Sequence, residues 1–250
     1  MIEIGEGSGS LTFLDTGSII TQYHFAEGGP WPVPSKPYFY PLMFDGVEMT
    51  RQVPRMGEPG EKDHPHHRSL YVAYGAVAGA DIWSEEPGHG FQRHGRFSKT
   101  WADGGSAGFE EELSWENPTG EKLLEERRRF RIWPLRPEGR ILDLEVSLKA
   151  AWRDVLFGST KEGGICALRV NEALRGDRGG LITNAHGLKK ESGCWGQRAA
   201  WAIDRSLRGE EAADRHAPPP RPDTWPREGA DRAVALRRLQ GLARARPAEL

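Results

Sequence analysis

Five of the eight histidines fall between positions 64 and 94: His64, His66, His67, His89 and His94. The densest part, Asp63-His-Pro-His-His-Arg-Ser69, runs directly into an apolar segment, Leu70–Tyr74. Imidazole titrates near neutral pH, so His64, His66, His67 and His94 are candidates for general acid/base work. Convergent imidazoles also suit zinc, iron or copper, with His64, His66 and His94 as the ligand set, although His-x-His is not a dedicated zinc spacing. A third reading leaves the histidines half-buried and hydrogen-bonded, shaping a loop. Pro65 biases His64 toward extended backbone, and an extended segment would point His64 and His66 one way and His67 the other.

Two further constellations follow. Phe157-Gly-Ser-Thr-Lys-Glu-Gly-Gly164 is a glycine-flanked turn from which Lys161 and Glu162 project. It lacks the Gly-Lys-Ser/Thr ending of a phosphate loop, and a hairpin turn with a solvated ion pair is the plain alternative. Asn184-Ala-His-Gly187, continuing through Glu191 to Trp195, mixes amide, carboxylate and indole as sugar sites often do.

The elements that must carry these residues read as strands. From Leu142 to Trp152 apolar side chains alternate with Asp143, Glu145, Ser147 and Lys149, a period of two that fits one buried and one solvated face. Ser10–Leu14 and Ile19–Phe25 flank a turn-rich link and read as a hairpin. Phe109–Trp115, Leu123–Trp133, Ile165–Val170, Leu181–Thr183 and Ala199–Asp204 complete the set. Residues 26–37 and 54–68 are loops by composition. With 31 glycines, 18 prolines and few helical patterns, the expected fold is an all-β antiparallel sandwich.

The chain has 250 residues, enough for a buried core without disulfide or metal staples. Its net charge of -2 argues against nucleic acid or a membrane surface as partner. No stretch reaches the ~20 apolar residues of a membrane helix, and no signal peptide is visible, so a cytoplasmic location is expected. Two cysteines make no disulfide framework. The charge is uneven, however. Residues 205–250 hold 10 Arg, no Lys and 7 acidic residues, a charge of +3, which leaves -5 on residues 1–204. Of the 23 aromatic residues only Trp225 lies beyond 204. Two regions are therefore expected: a β domain over 1–204 and an Arg/Ala/Pro-rich tail over 205–250, irregular at its prolines and amphipathic-helical over 230–246.

Several motifs recur in order. Lys36-Pro-Tyr-Phe-Tyr-Pro-Leu42, Val47-Glu-Met-Thr-Arg51, Asp63-His-Pro-His-His-Arg-Ser-Leu70, Asp81-Ile-Trp83, the 157–164 turn and Gly196-Gln-Arg-Ala-Ala-Trp201 together resemble the bacterial PmoA-like family. That family is labelled methane oxygenase, a membrane metalloenzyme; with no apolar span here, we read the label as a misnomer. The resemblance implies a sandwich of the galactose-mutarotase type and a small-molecule carbohydrate as ligand. It implies a histidine of 64–67, or His94, as acid and Glu162 as base, with Arg68, Asp81, Trp83, Lys161 and Trp195 binding substrate and Trp83 stacking on the sugar. No organic cofactor is expected; the metal-dependent enzyme and the non-catalytic binding module stay as alternatives.

The resemblance ends near Asp204. Members continue with strands carrying a His-Pro-x-Asn-Pro-Arg-like motif and then a Trp-His-x-Arg-x-Tyr-Gly-like one. Residues 205–250 can be back-translated so that a one-nucleotide shift yields motifs of both kinds, in order and in one frame. We therefore read the tail as translated out of frame, so that the sandwich lacks its last strands; a genuine divergent tail, a basic helix for a partner, is the alternative.

Overall fold

A computed structural model describes residues 1–26, 36–52, 64, 66–134, 139–162, 164–206 and 236–237. Fourteen strands are present among them. In chain order they are β1 (Ile2–Gly7), β2 (Ser10–Asp15), β3 (Ser18–His24), β4 (Tyr38–Phe44), β5 (Val47–Glu48), β6 (Leu70–Val72), β7 (Phe91–Ala102) and β8 (Ala107–Glu116). They continue with β9 (Lys122–Ile132), β10 (Leu142–Lys149), β11 (Cys166–Leu168), β12 (Gly180–Asn184), β13 (Ala202–Ser206) and β14 (Leu236–Arg237). One short helix, α1, spans Lys190–Cys194.

Alternating sequences make the strands and the apolar half of each alternation stacks them into two layers. The first sheet runs β1-β2-β3-β4-β6-β11, with β5 beside β4. The second runs β14-β10-β9-β8-β7, a meander of long strands whose pairings are antiparallel except that of β14. The layers meet through aromatic rings. Phe13 of β2 packs edge-on to Phe130 of β9 at 5.3 Å, Tyr23 of β3 stacks on Phe109 of β8 at 4.5 Å, and Phe39 of β4 lies 4.4 Å from Phe130. This is an all-β antiparallel sandwich. A separate hairpin, β12-β13, follows.

The strand over 142–152 ends earlier than its alternation implies: β10 stops at Lys149, and Trp152 is 50% exposed rather than buried. Its indole lies beside Lys122 instead, with the ammonium 5.9 Å from the ring. The expected tail helix over 230–246 lies outside the described residues except at Leu236 and Arg237, which form a strand parallel to Leu142 and Asp143 on the open edge of β10.

The polar side chains at the heart of the sandwich were not anticipated. On β8 and β9 the inward series Phe109, Glu111, Leu113, Trp115 and Leu124, Glu126, Arg128, Phe130 place charge between apolar residues. Arg128 donates from Nε to Glu126 Oε1 at 2.7 Å, from Nη1 to the Tyr23 hydroxyl at 2.9 Å, and from Nη2 to Gln92 Oε1 at 3.0 Å. Trp115 Nε1 donates to Glu126 at 2.6 Å, and the Tyr23 hydroxyl donates to Glu111. Burial raises the Tyr23 pKa, keeping its phenol protonated. Burial disfavours the Arg128 charge, but Glu126, Tyr23 and Glu111 outweigh it and its pKa rises overall.

Candidate functional site

Strand β6 is covered on both faces. Leu70 and Val72 enter the core between the sheets, while Tyr71 points outward into a second cluster with Tyr38, Ala73 and Trp83. The outer face of the first sheet is therefore where the histidine segment, β6 and the 81–85 turn meet.

The histidine segment is a turn rather than an extended strand. His64 has a positive φ of 46°, and the His67 amide donates to the His64 carbonyl at 3.0 Å. The turn overrides the expected alternation and gathers all three rings on one side. His64 stacks on His67 with centroids 4.9 Å apart, and His66 meets His67 edge-on at 4.7 Å. Arg169 fastens the turn from β11's end, donating from Nη1 to the His64 carbonyl at 3.0 Å.

A second turn supplies the wall opposite. Asp81 Oδ1 accepts from the amides of Trp83 at 2.8 Å and Ser84 at 3.0 Å, a side-chain-closed turn that fixes Trp83 and Glu85. Trp83 is only 7% exposed, with Tyr71 at 5.3 Å and His67 at 5.8 Å. Its indole N–H points to His67 Nε2 at 3.4 Å. Expected as a platform for a sugar face, Trp83 leaves little of its indole open to solvent.

Beneath these aromatics lies a buried ion cluster. Arg68 donates from Nε to Glu85 Oε1 at 2.9 Å and from Nη2 to Oε2 of the same carboxylate. Lys36, sealed from solvent, donates to the Trp83 carbonyl at 2.5 Å and stands 3.6 Å from Glu85 Oε1. Its ammonium also sits 5.1 Å from the Tyr71 ring centre. Burial pulls the Lys36 pKa down to about 8, with Glu85 acting to hold it up. Burial alone would raise the Glu85 pKa, but the Arg68 hydrogen bonds and the Lys36 charge bring it below the usual carboxylate range.

Electrostatics bind the site together around Tyr71. Burial raises the phenol's pKa, and the charges of Glu162 and Glu85 raise it further against Arg169, so it stays a hydrogen-bond donor. Burial pulls His66 down to about 4 and His67 to about 3, helped by Lys36 on His66 and by the neighbouring histidines on His67. Both imidazoles are neutral at pH 7. His66 Nδ1 is buried without a hydrogen-bond partner among the described residues.

Residues 10–245 match the family described as Family of unknown function (DUF6807). The chain belongs to that family. No curated protein and no solved structure gives a match. The DUF6807 match runs through residue 204, where the composition changes, and on into the tail.

Of the residues expected to act, this DUF6807 chain gathers His64, His66, His67, Arg68, Asp81 and Trp83 at one place, with Glu162 acting on Tyr71. Lys161 is 80% exposed and pairs with Glu162 at 3.6 Å, the solvated arrangement a turn allows. His94 does not join them. It lies on β7 between Phe25 and Phe97, with Nδ1 2.6 Å from buried Glu111, at the rim of the network between the sheets. The proposed ligand set His64, His66 and His94 is thus not assembled, and among the described residues no three His, Cys, Asp or Glu side chains are placed to hold a metal ion. Trp195 is exposed after α1 beside the β12-β13 hairpin. His89 turns to the Gly90 carbonyl at 2.6 Å. No helix among the described residues is long and apolar enough to cross a membrane.

Lys36, Tyr71, Glu85 and Arg169 had no role in the sequence reading. Lys36 and Tyr71 sit within or beside the quoted motifs, but strict alternation along Arg68-Ser-Leu-Tyr71 would set Arg68 opposite Tyr71; the positive φ of 76° at Ser69 breaks it, and Arg68 lies beside Tyr38 in the Tyr71 cluster instead. Glu85 carries no signal of its own, because only the 81–85 turn brings it back onto Arg68.

Proposed function

We propose that the outer face of the first sheet binds a carbohydrate and that acid–base proton transfer on it is the accompanying chemistry. The observation that carries this reading is the setting of Tyr71: a phenol kept protonated, with the neutral His67 ring 6.2 Å away and in the field of Glu162. Such a site offers a donor (Tyr71), an acceptor (neutral His66) and a carboxylate (Glu162), the three roles that moving a proton between sugar oxygens needs. The resemblance to the PmoA-like family and, through it, to mutarotase-type sandwiches supports the same direction by analogy of fold.

The test is a thermal-shift screen of the full chain against monosaccharides, repeated with Tyr71→Phe and Glu162→Gln. A sugar that raises the melting temperature of the parent chain, loses its effect in Tyr71→Phe, and is turned over only with Glu162 intact supports the proposal. Binding without turnover leaves a carbohydrate-binding module. Stoichiometric metal in the purified protein would transfer the histidines to a metal role.

A further inference from the structure

We infer that the ligand of this site is uncharged: a neutral polyhydroxylated molecule rather than a sugar phosphate or a sugar acid. The inference rests on the carbohydrate reading above and narrows it. Proteins hold phosphates and carboxylates with an arginine fork or a lysine ammonium free to meet the oxyanion. Here those groups are already committed within the protein. Both ends of the Arg68 fork, Nε and Nη2, lie on the two oxygens of Glu85, the geometry a ligand carboxylate would need for itself. Lys36 is spent on the Trp83 carbonyl and Glu85 and has no solvent exposure. Arg169 gives Nη1 to the His64 carbonyl.

The imidazoles add no positive charge, being neutral at pH 7. Lys161 lies at the rim, paired with Glu162. Among the described residues, Tyr71 and the two imidazoles are uncharged polar groups of the site. Tyr71 carries a donor, and His66 Nδ1 lies buried with its hydrogen-bonding capacity unused among the described residues. A sugar hydroxyl, which both gives and accepts, suits a phenol donor and a neutral imidazole nitrogen whichever tautomer the ring takes.

Calorimetric titration of the full chain with neutral monosaccharides, with their 6-phosphates and with the corresponding uronic acids tests this. A neutral sugar is expected to bind at least tenfold more tightly than either anionic form, with an affinity unchanged when salt is raised to about 0.5 M. His66→Gln, which keeps the site's charge, should weaken the neutral sugar about tenfold or more. Tighter binding of a phosphate or uronate, or an affinity that falls steeply with salt, overturns the inference and leaves the carbohydrate reading standing. Failure of both classes to bind overturns both.

Discussion

At the scale of single residues, the same three forces (burial, hydrogen bonding and charge) give histidines of one sequence different tasks. His66 and His67 are kept neutral by burial, and His24 is pushed the same way. Their pKa is 6.5 when exposed, so below that pH the unfolded chain takes up protons that the folded chain refuses. Stability is therefore fully present above pH 6.5 and is lost as pH falls toward about 4 for His66 and about 3 for His67. Melting temperature should decline steadily between pH 6.5 and 4.5, before most carboxylates titrate, and decline less in the His66→Gln/His67→Gln double variant. An identical slope in the two proteins would remove the burial argument. The central network answers to a different rule. Arg128→Met takes the guanidinium from buried Glu126, and urea unfolding should register a loss of about 3–5 kcal/mol. Glu110→Gln on the outer face of β8 breaks an exposed pair with Arg129 and should cost under about 1 kcal/mol. Equal costs would mean that the network is not sealed.

At the scale of elements, periodicity reads well where a strand has one wet face. Ser10–Leu14, Ile19–Phe25, Phe109–Trp115 and Leu123–Trp133 recur as β2, β3, β8 and β9 within a residue or two at their ends. It reads badly where register breaks. β7 is twelve residues long, yet bulges at His94/Arg96 and Phe97/Lys99 scramble its alternation, so no strand was expected there. That slip also explains His94: the bulge belongs to the second sheet's edge strand, and it turns the imidazole to Glu111 and away from the other histidines. Close packing of β8 on β9 supplies a test. A Cβ added at Gly108 would stand 2.1 Å from the Phe130 carbonyl oxygen and 2.6 Å from the Trp101 ring. Backbone cannot yield as a flexible side chain would, so Gly108→Ala should lower stability by about 1–3 kcal/mol or more. Gly104→Ala, which meets no atom within 4 Å but has a φ of 79°, isolates the smaller cost of the left-handed backbone alone. Thermal melts that rank Gly104→Ala as the more damaging would contradict this packing.

At the scale of the whole molecule, the all-β sandwich was legible because turn residues and alternation agree along the chain. Half of the site was legible too, as the histidine turn and Asp81-Ile-Trp83 are local motifs. What stayed hidden was non-local. Lys36, Glu85 and Arg169 come from distant segments, and nothing in their own neighbourhoods says that they meet at Tyr71. The split of charge into -5 over residues 1–204 and +3 beyond is likewise a whole-chain property. The family match nevertheless continues across that boundary to residue 245; sequencing the coding DNA near codon 205 decides between the readings, a one-nucleotide insertion or deletion relative to close relatives supporting a shifted frame and an uninterrupted shared frame returning the tail to the native protein. The central claim concerns the outer face of the first sheet, and side-chain NMR of the full chain tests it most directly. On titration with the sugar that binds, the imidazole resonances of His66 and His67 should move saturably while those of His94 and His186 stay in place. Saturable shifts at His94, with His66 and His67 unmoved, would contradict the account.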